Sequence, residues 1–381
     1  MPRRFFLHVG SPKTGTTFLQ NVLWSQRDIA REHGLLLPMS SRGDHYRACL
    51  DVRGDTGYSN TPELIPGTWR SLVEEAGAWD GDVLVSHELF APTPLDRARK
   101  AVADLSAVAD EVHVVVTARD LVRQFPAHWQ ENVKARSSES FGEFMAAVQA
   151  DTARDGWFWL VQDSAGILDR WGADLAPEQL HVVTVPEPGR PPSLLWERFS
   201  SLLGLDPARF SLDQARANES LGPDQVELLR RVNAALGDRL PRPGPYAEIV
   251  KGYLAHRVLV EQPTRKLGLD GDDLRYAVEH STRIAGELRG RGVHVVGDLE
   301  ELEPPAEPTG SPAREVPTEA EVLGSAVEVI VTVLERVLEQ RERREAAVGR
   351  LRQKLRACRE ELDAVRSQPS PRRWSLGRFR R

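Results

Sequence analysis

The residues best equipped for chemistry lie near the start of the chain, in SPKTGTT at positions 11–17. One cation, Lys13, and three hydroxyls, on Thr14, Thr16 and Thr17, surround Gly15. Gly10 permits a sharp turn into the segment and Pro12 stiffens it. Gly15 lets successive backbone N–H groups converge where a helix begins. Such a set suits an anion, and a phosphate above all. The lysine comes two residues before Gly15, and Thr16 follows it. That order departs from the common NTPase loop, G-x-x-x-x-G-K-[ST], in which lysine follows the second glycine.

Two further groups sit at the ends of later apolar runs. VHVVVTARDLVRQFPAHW, from Val112, delivers Arg119 after the run His113 to Thr117, and VLVSHELF ends in Ser86, His87 and Glu88. Side chains alternate along a strand, so Ser86 and Glu88 share one face and His87 points to the other. Either the carboxylate or the imidazole is a candidate base, and partial desolvation would raise the Glu88 pKa towards the working range. His45, in SRGDHYRA, is a third candidate.

The elements that must hold these groups follow from periodicity. Phe5 to Val9 reads as a buried strand, and Phe18, Val22, Ile29 and Ala30 recur at helical spacing through His33. More apolar runs, at Val83 to Val85, Val112 to Val116 and Leu180 to Val185, alternate with helical patterns such as PLDRARKAVADLSAVA and PSLLWERFSSLLGL. That alternation predicts an α/β fold, a central parallel sheet with helices on both faces. Ligands of such sheets bind beyond the carboxyl ends of the strands, where Lys13, Arg119 and Ser86–Glu88 all fall. From about Asn218 to Leu299 the pattern becomes mainly helical, with one short apolar piece at VHVVGDL.

PKTGTT after a first strand resembles the 5′-phosphosulfate loop of the sulfotransferases that use 3′-phosphoadenosine 5′-phosphosulfate (PAPS). Arg119 after a later strand resembles that family's 3′-phosphate arginine. The resemblance covers roughly residues 5–300 as an order of elements and is specific at these two motifs. It implies a P-loop-like three-layer fold and transfer of a sulfuryl group from PAPS to a hydroxyl or amine of a small-molecule or carbohydrate acceptor. It further implies cofactor contacts from Pro12, Lys13, Thr14, Gly15, Thr16, Thr17, Arg119 and position 127, with Lys13 and either Glu88 or His87 in catalysis. Glu88 is favoured as base because the resembling bacterial and heparan-type enzymes place a glutamate after a small residue at a strand end. The chain also departs from the family. Ala127 stands where a serine is usual, Leu121 stands where a variant has proline, and the later RKG element is absent. Arg123, His128 or Lys134 are candidates to compensate, and RANESLG at 216–222 is either a source of contacts through Arg216, Asn218 or Ser220 or a helix cap. No metal is expected. A non-catalytic PAPS-fold scaffold assembling through its coiled coil is the alternative. A P-loop kinase or NTPase fits less well, because the strand reaches Arg119 before Asp120 and does not end in a metal-binding aspartate.

Composition sets the frame. The chain has 381 residues, 40% of them hydrophobic, enough for one large or two modest domains. Two cysteines, Cys49 and Cys358, make no disulfide framework and fit a reducing compartment. MPRRFF begins no signal peptide and no stretch approaches a membrane span, so a cytoplasmic protein is expected. The organisation reads as a P-loop domain over 1–302, a Pro/Glu-rich linker over 303–318, a coiled-coil helix over 319–367 and a basic tail over 368–381. From Leu323 to Val365 an apolar seam alternates in steps of four and three, broken by Arg341 and Arg344. It predicts a homo-oligomer or a partner helix. The net charge is −6, yet Arg341 to Arg381 holds fourteen Lys/Arg against five Asp/Glu. The basic end suits an anionic surface. No nucleic-acid partner is expected.

Overall fold

The computed structural model describes residues 2–57, 59–213, 220–263, 265–305 and 316–366. Arg216 and Asn218, most of the linker and the basic tail lie outside these residues.

The apolar runs pair into one six-stranded sheet, all of whose strands are parallel. The strands are β1 (Arg4–Gly10), β2 (Leu35–Leu36), β3 (Asp82–Ser86), β4 (Glu111–Ala118), β5 (Leu180–Thr184) and β6 (His294–Val296). Their order across the sheet is β2-β3-β1-β4-β5-β6. The α/β parallel sheet expected from the alternation is therefore present, and VHVVGDL supplies β6. The central strands read as continuous apolar runs because helices cover both of their faces. Phe5, Leu7, Val83, Leu84, Val114 and Val116 are all fully buried.

Chain order reverses around β1, since β3 lies on one side of it and β4 on the other. The carboxyl ends of these three neighbours thus lie side by side at one edge of the parallel sheet. β1 leads through the loop to the helix Thr16–Ser25, and β3 ends in a short turn, Glu88–Phe90. β4 leads into the helix Leu121–Lys134, begun by Asp120, whose carboxylate accepts the Arg123 N–H at 2.9 Å. The later region is mainly helical, with Pro223–Leu236, a π-helical stretch Ala247–Val258 and Gly271–Arg291.

The chain forms two compact units, Met1–Ser325 and a second that begins at Ala326. The long helix Glu319–Arg366 starts within the first unit. There Val322 and Ser325 are buried, Glu319 pairs with Arg231, and Glu321 pairs with Arg265. Among the described residues, no helix is long and apolar enough to cross a membrane.

Candidate active site

The loop after β1 is fastened from outside by its carbonyls. Pro12 C=O accepts from Gln124 Nε2 at 3.0 Å and Gln162 Nε2 at 3.2 Å, and Lys13 C=O accepts from Arg119 Nη1 at 3.1 Å. The Ser11 N–H donates to Thr117 O at 3.0 Å, and the N–H groups of Lys13, Thr14 and Gly15, with the first of the Thr16 helix, are oriented to meet an anion. Lys13 has φ +66° and Gly15 φ +87°, both left-handed. For lysine that conformation costs roughly 1–2 kcal/mol, and such strain gathers at functional sites. A Cβ on Gly15 would press on Leu195 Cδ2, which would have to shift, and the φ of +87° itself favours glycine.

The threonines divide. Thr14 Oγ1 lies 2.5 Å from both Ser11 O and Thr117 Oγ1, so its hydroxyl is spent holding the loop to β4. Thr16 and Thr17 open the helix. Ser11 Oγ, which the sequence did not single out, is buried with no hydrogen-bond partner. Below the loop, His8 of β1 joins three strands, its Nδ1 2.8 Å from Ser86 Oγ and its Nε2 3.3 Å from Thr117 Oγ1. A histidine inside the apolar run FFLHVG was the available signal for it.

Lys13 reaches across the loop, its Nζ 3.1 Å from Glu131 Oε2, while Lys251 Nζ lies 2.6 Å from Glu131 Oε1. Gln124, His128 and Glu131 lie on one face of their helix, at spacings of four and three. Burial would raise the Glu131 carboxyl, but Lys13, Lys251 and Lys134 hold it well below its usual range. Lys134 is buried, and burial, with Lys13 next, pushes its ammonium down to about 8. Three ammonium groups thus surround one carboxylate, a surplus of positive charge beside the loop. Ala127 is half-buried on the same helix. Arg119 is pushed down to about 10 by burial and by Arg123, and it stays charged at neutral pH.

On the other side of the loop, Glu88 has left the strand and opens the short turn after β3. Its backbone abuts the loop entrance, since a Cβ on Gly10 would lie 3.2 Å from Glu88 O. Glu88 Oε2 is buried and has no hydrogen-bond partner. The expectation that burial would raise its pKa is corrected here. Burial does act upward, but His87, the backbone N–H, His8 and Arg42 together hold the carboxyl below its ordinary value. Glu88 is therefore a carboxylate at neutral pH. His87, lowered by burial, accepts the Leu89 N–H on Nδ1 at 3.1 Å, which leaves its proton on Nε2. His45 uses both ring nitrogens, receiving the Ser86 N–H on Nδ1 at 3.2 Å and meeting Pro38 O from Nε2 at 3.0 Å. Neither imidazole offers a ready lone pair. A cavity of about 890 Å³ lies apart from the loop, lined among others by Asp51, Trp69, Arg97 and Asp104. The convergence of charge and unpartnered groups makes the loop, and not that cavity, the candidate site.

His8, His45 and His128 are buried, and burial pushes each down to about 4. In an unfolded chain an imidazole titrates near 6.5, so the unfolded state takes up these protons first. Stability should be complete above about pH 6.5 and fall as the pH drops towards 4, by up to roughly 3 kcal/mol per histidine. Urea midpoints measured from pH 7.5 to 4.5 are expected to decline steeply across that window. Level midpoints would show that the imidazoles are not held neutral by the fold.

The fold and site define a parallel α/β protein with a glycine-containing loop after β1 and an ionised carboxylate in the turn after β3. No family model matches the chain, and no curated protein matches it in sequence. Among solved structures it is similar to a sulfotransferase from Alicyclobacillus acidocaldarius, at 18% identity and a TM-score of 0.37. That match covers 62% of this chain and 95% of the other. A likeness this slight carries no argument, and the functional reading rests on the residues themselves.

Proposed function

We propose that this protein is a sulfotransferase that moves a sulfuryl group from PAPS to a hydroxyl or amine of a small-molecule or carbohydrate acceptor. The observation that carries the reading is the buried, ionised Glu88, its Oε2 without a partner, beside a loop built for an anion. The residues present suit the nucleotide. Lys13, the loop N–H groups and the helix start at Thr16 and Thr17 would hold the 5′-phosphosulfate, and Ser11 Oγ is an unsatisfied polar atom at the same place. Arg119 is a charged donor for the 3′-phosphate. Ala127 offers no hydroxyl there, and Lys134, nearby and pushed down to about 8, supplies positive charge in its stead.

PAPS would supply an activated sulfuryl group whose bridging S–O bond breaks as the acceptor oxygen forms its own S–O bond, leaving 3′-phosphoadenosine 5′-phosphate. This chain's residues do the rest. Glu88 takes the acceptor proton, and Lys13 neutralises charge on the departing phosphate. No metal is required by this scheme. The two free thiols, on Cys49 and Cys358, accord with a cytoplasmic setting.

Calorimetry with 3′-phosphoadenosine 5′-phosphate against ATP tests the assignment. The first is expected to bind and the second to bind far more weakly, with no requirement for Mg²⁺. Tighter binding of ATP with Mg²⁺ would point to a kinase or NTPase instead. Binding of the product nucleotide without transfer to any acceptor would favour the scaffold.

A further inference from the structure

The helix Glu319–Arg366 leaves its seam uncovered. Seam positions from Leu323 to Leu362 that carry Leu, Val or Ile are between 44% and 66% exposed. Over its first half the flanking Val331, Val333 and Leu338 are exposed as well, so the apolar face is broad there. A lone 48-residue helix gains nothing from such a stripe in water, because most helical stability comes from packing an apolar face. The seam runs for six heptads, longer than a chance pattern sustains.

We propose that this helix pairs in parallel and in register with a second copy of this chain. Flank chemistry chooses the occupant and its direction. In a parallel pair a flank residue meets the one five positions further along in the second copy. Ala326 then meets Val331 and Val333 meets Leu338, apolar against apolar across the first half, while beyond it Lys354 meets Arg359 at an exposed flank that long side chains can splay into water. In a fully overlapped antiparallel pair Val331 would face Arg352 and Val333 would face Lys354, burying apolar surface against charge. The arginines do not discriminate, since Arg341 and Arg344 stack on themselves in one arrangement and on each other in the second. They weaken the middle of either. An antiparallel pair overlapping only in the apolar half remains, and Cys358 separates it from the parallel pair. Cys358 is exposed and on the seam, so in the parallel register the two thiols share a layer. In the half-overlapped pair they lie at opposite ends.

The test uses the full chain. Light scattering should give at least twice the chain mass of 42.5 kDa, and Ile330→Glu with Leu334→Glu should return it to one chain. Copper(II)–phenanthroline should take two electrons, and the medium two protons, as a Cys358–Cys358 disulfide links two chains. Cys358→Ser should abolish that band, since Cys49 is buried. Arg341→Leu with Arg344→Leu should tighten assembly by roughly tenfold or more. A single-chain mass for the wild type overturns self-association. An oligomer that forms no Cys358 cross-link overturns the parallel register.

Discussion

Glu88→Gln is expected to slow transfer to an alcohol by about 10²–10⁴-fold while leaving nucleotide affinity unchanged. Glutamine keeps the shape of the side chain and cannot take a proton. The carboxylate is ready before any acceptor arrives, because His87, His8 and Arg42 outweigh its burial. Its Oε2 has no partner to give up. That oxygen is buried, so an acceptor hydroxyl must first be admitted to it, whereas the His87 Nδ1 is already taken by the Leu89 N–H. His87→Ala should therefore slow the reaction less. The loss in Glu88→Gln should shrink for an acidic phenol, which arrives already ionised. The lowered pKa also sets the pH profile. A base held below the ordinary carboxylate range stays ionised as the medium becomes mildly acidic, so single-turnover rates should not fall between pH 7 and 6. A slower His87→Ala variant would make the histidine the base.

Lys13→Ala is expected to reduce transfer by about 10²–10³-fold, the scale on which removing one preorganised donor acts. The fold should survive. Lys13 packs no core, and Glu131 would keep Lys251 at 2.6 Å, so no carboxylate is stranded without a counter-charge. The left-handed backbone at this position is no harder for alanine than for lysine. The measurement is single-turnover transfer beside a thermal melt. Full activity in a folded variant would remove Lys13 from the chemistry, while a collapse of the melt would make it structural.

Parts of this site were legible in the sequence for identifiable reasons. β1, β3, β4 and β5 are runs of buried apolar residues, and a parallel sheet buried on both faces leaves that mark. β2, only Leu35–Leu36, is too short to leave one. The places of Arg119, next after β4, and of Lys13, three residues beyond β1, were legible because the apolar runs mark where those strands end. The contact that engages the Thr14 hydroxyl was not, since it depends on where β4 sets Thr117 beside it. Glu131 and Lys251 stand more than a hundred residues from Lys13 and meet it only in the folded chain. The state of Glu88 was misjudged for the same reason. Burial can be guessed from a neighbouring apolar run, but of the charges that oppose it only His87 is adjacent in sequence, while His8 comes from β1 and Arg42 from the helix Arg42–Arg53.

Under the proposed function, the Lys13–Glu131 contact would give anion capture the character of an ion exchange. A ligand does not meet a bare ammonium; it must displace a carboxylate that is already seated. For a small anion the trade is nearly even, one oxygen for another. A nucleotide bearing phosphates at two positions can gain more, because it also takes up the loop N–H groups and Arg119, which Glu131 leaves untouched. Under the proposed function the internal carboxylate would thus set a threshold that favours bulky, multiply charged ligands over inorganic phosphate and sulfate.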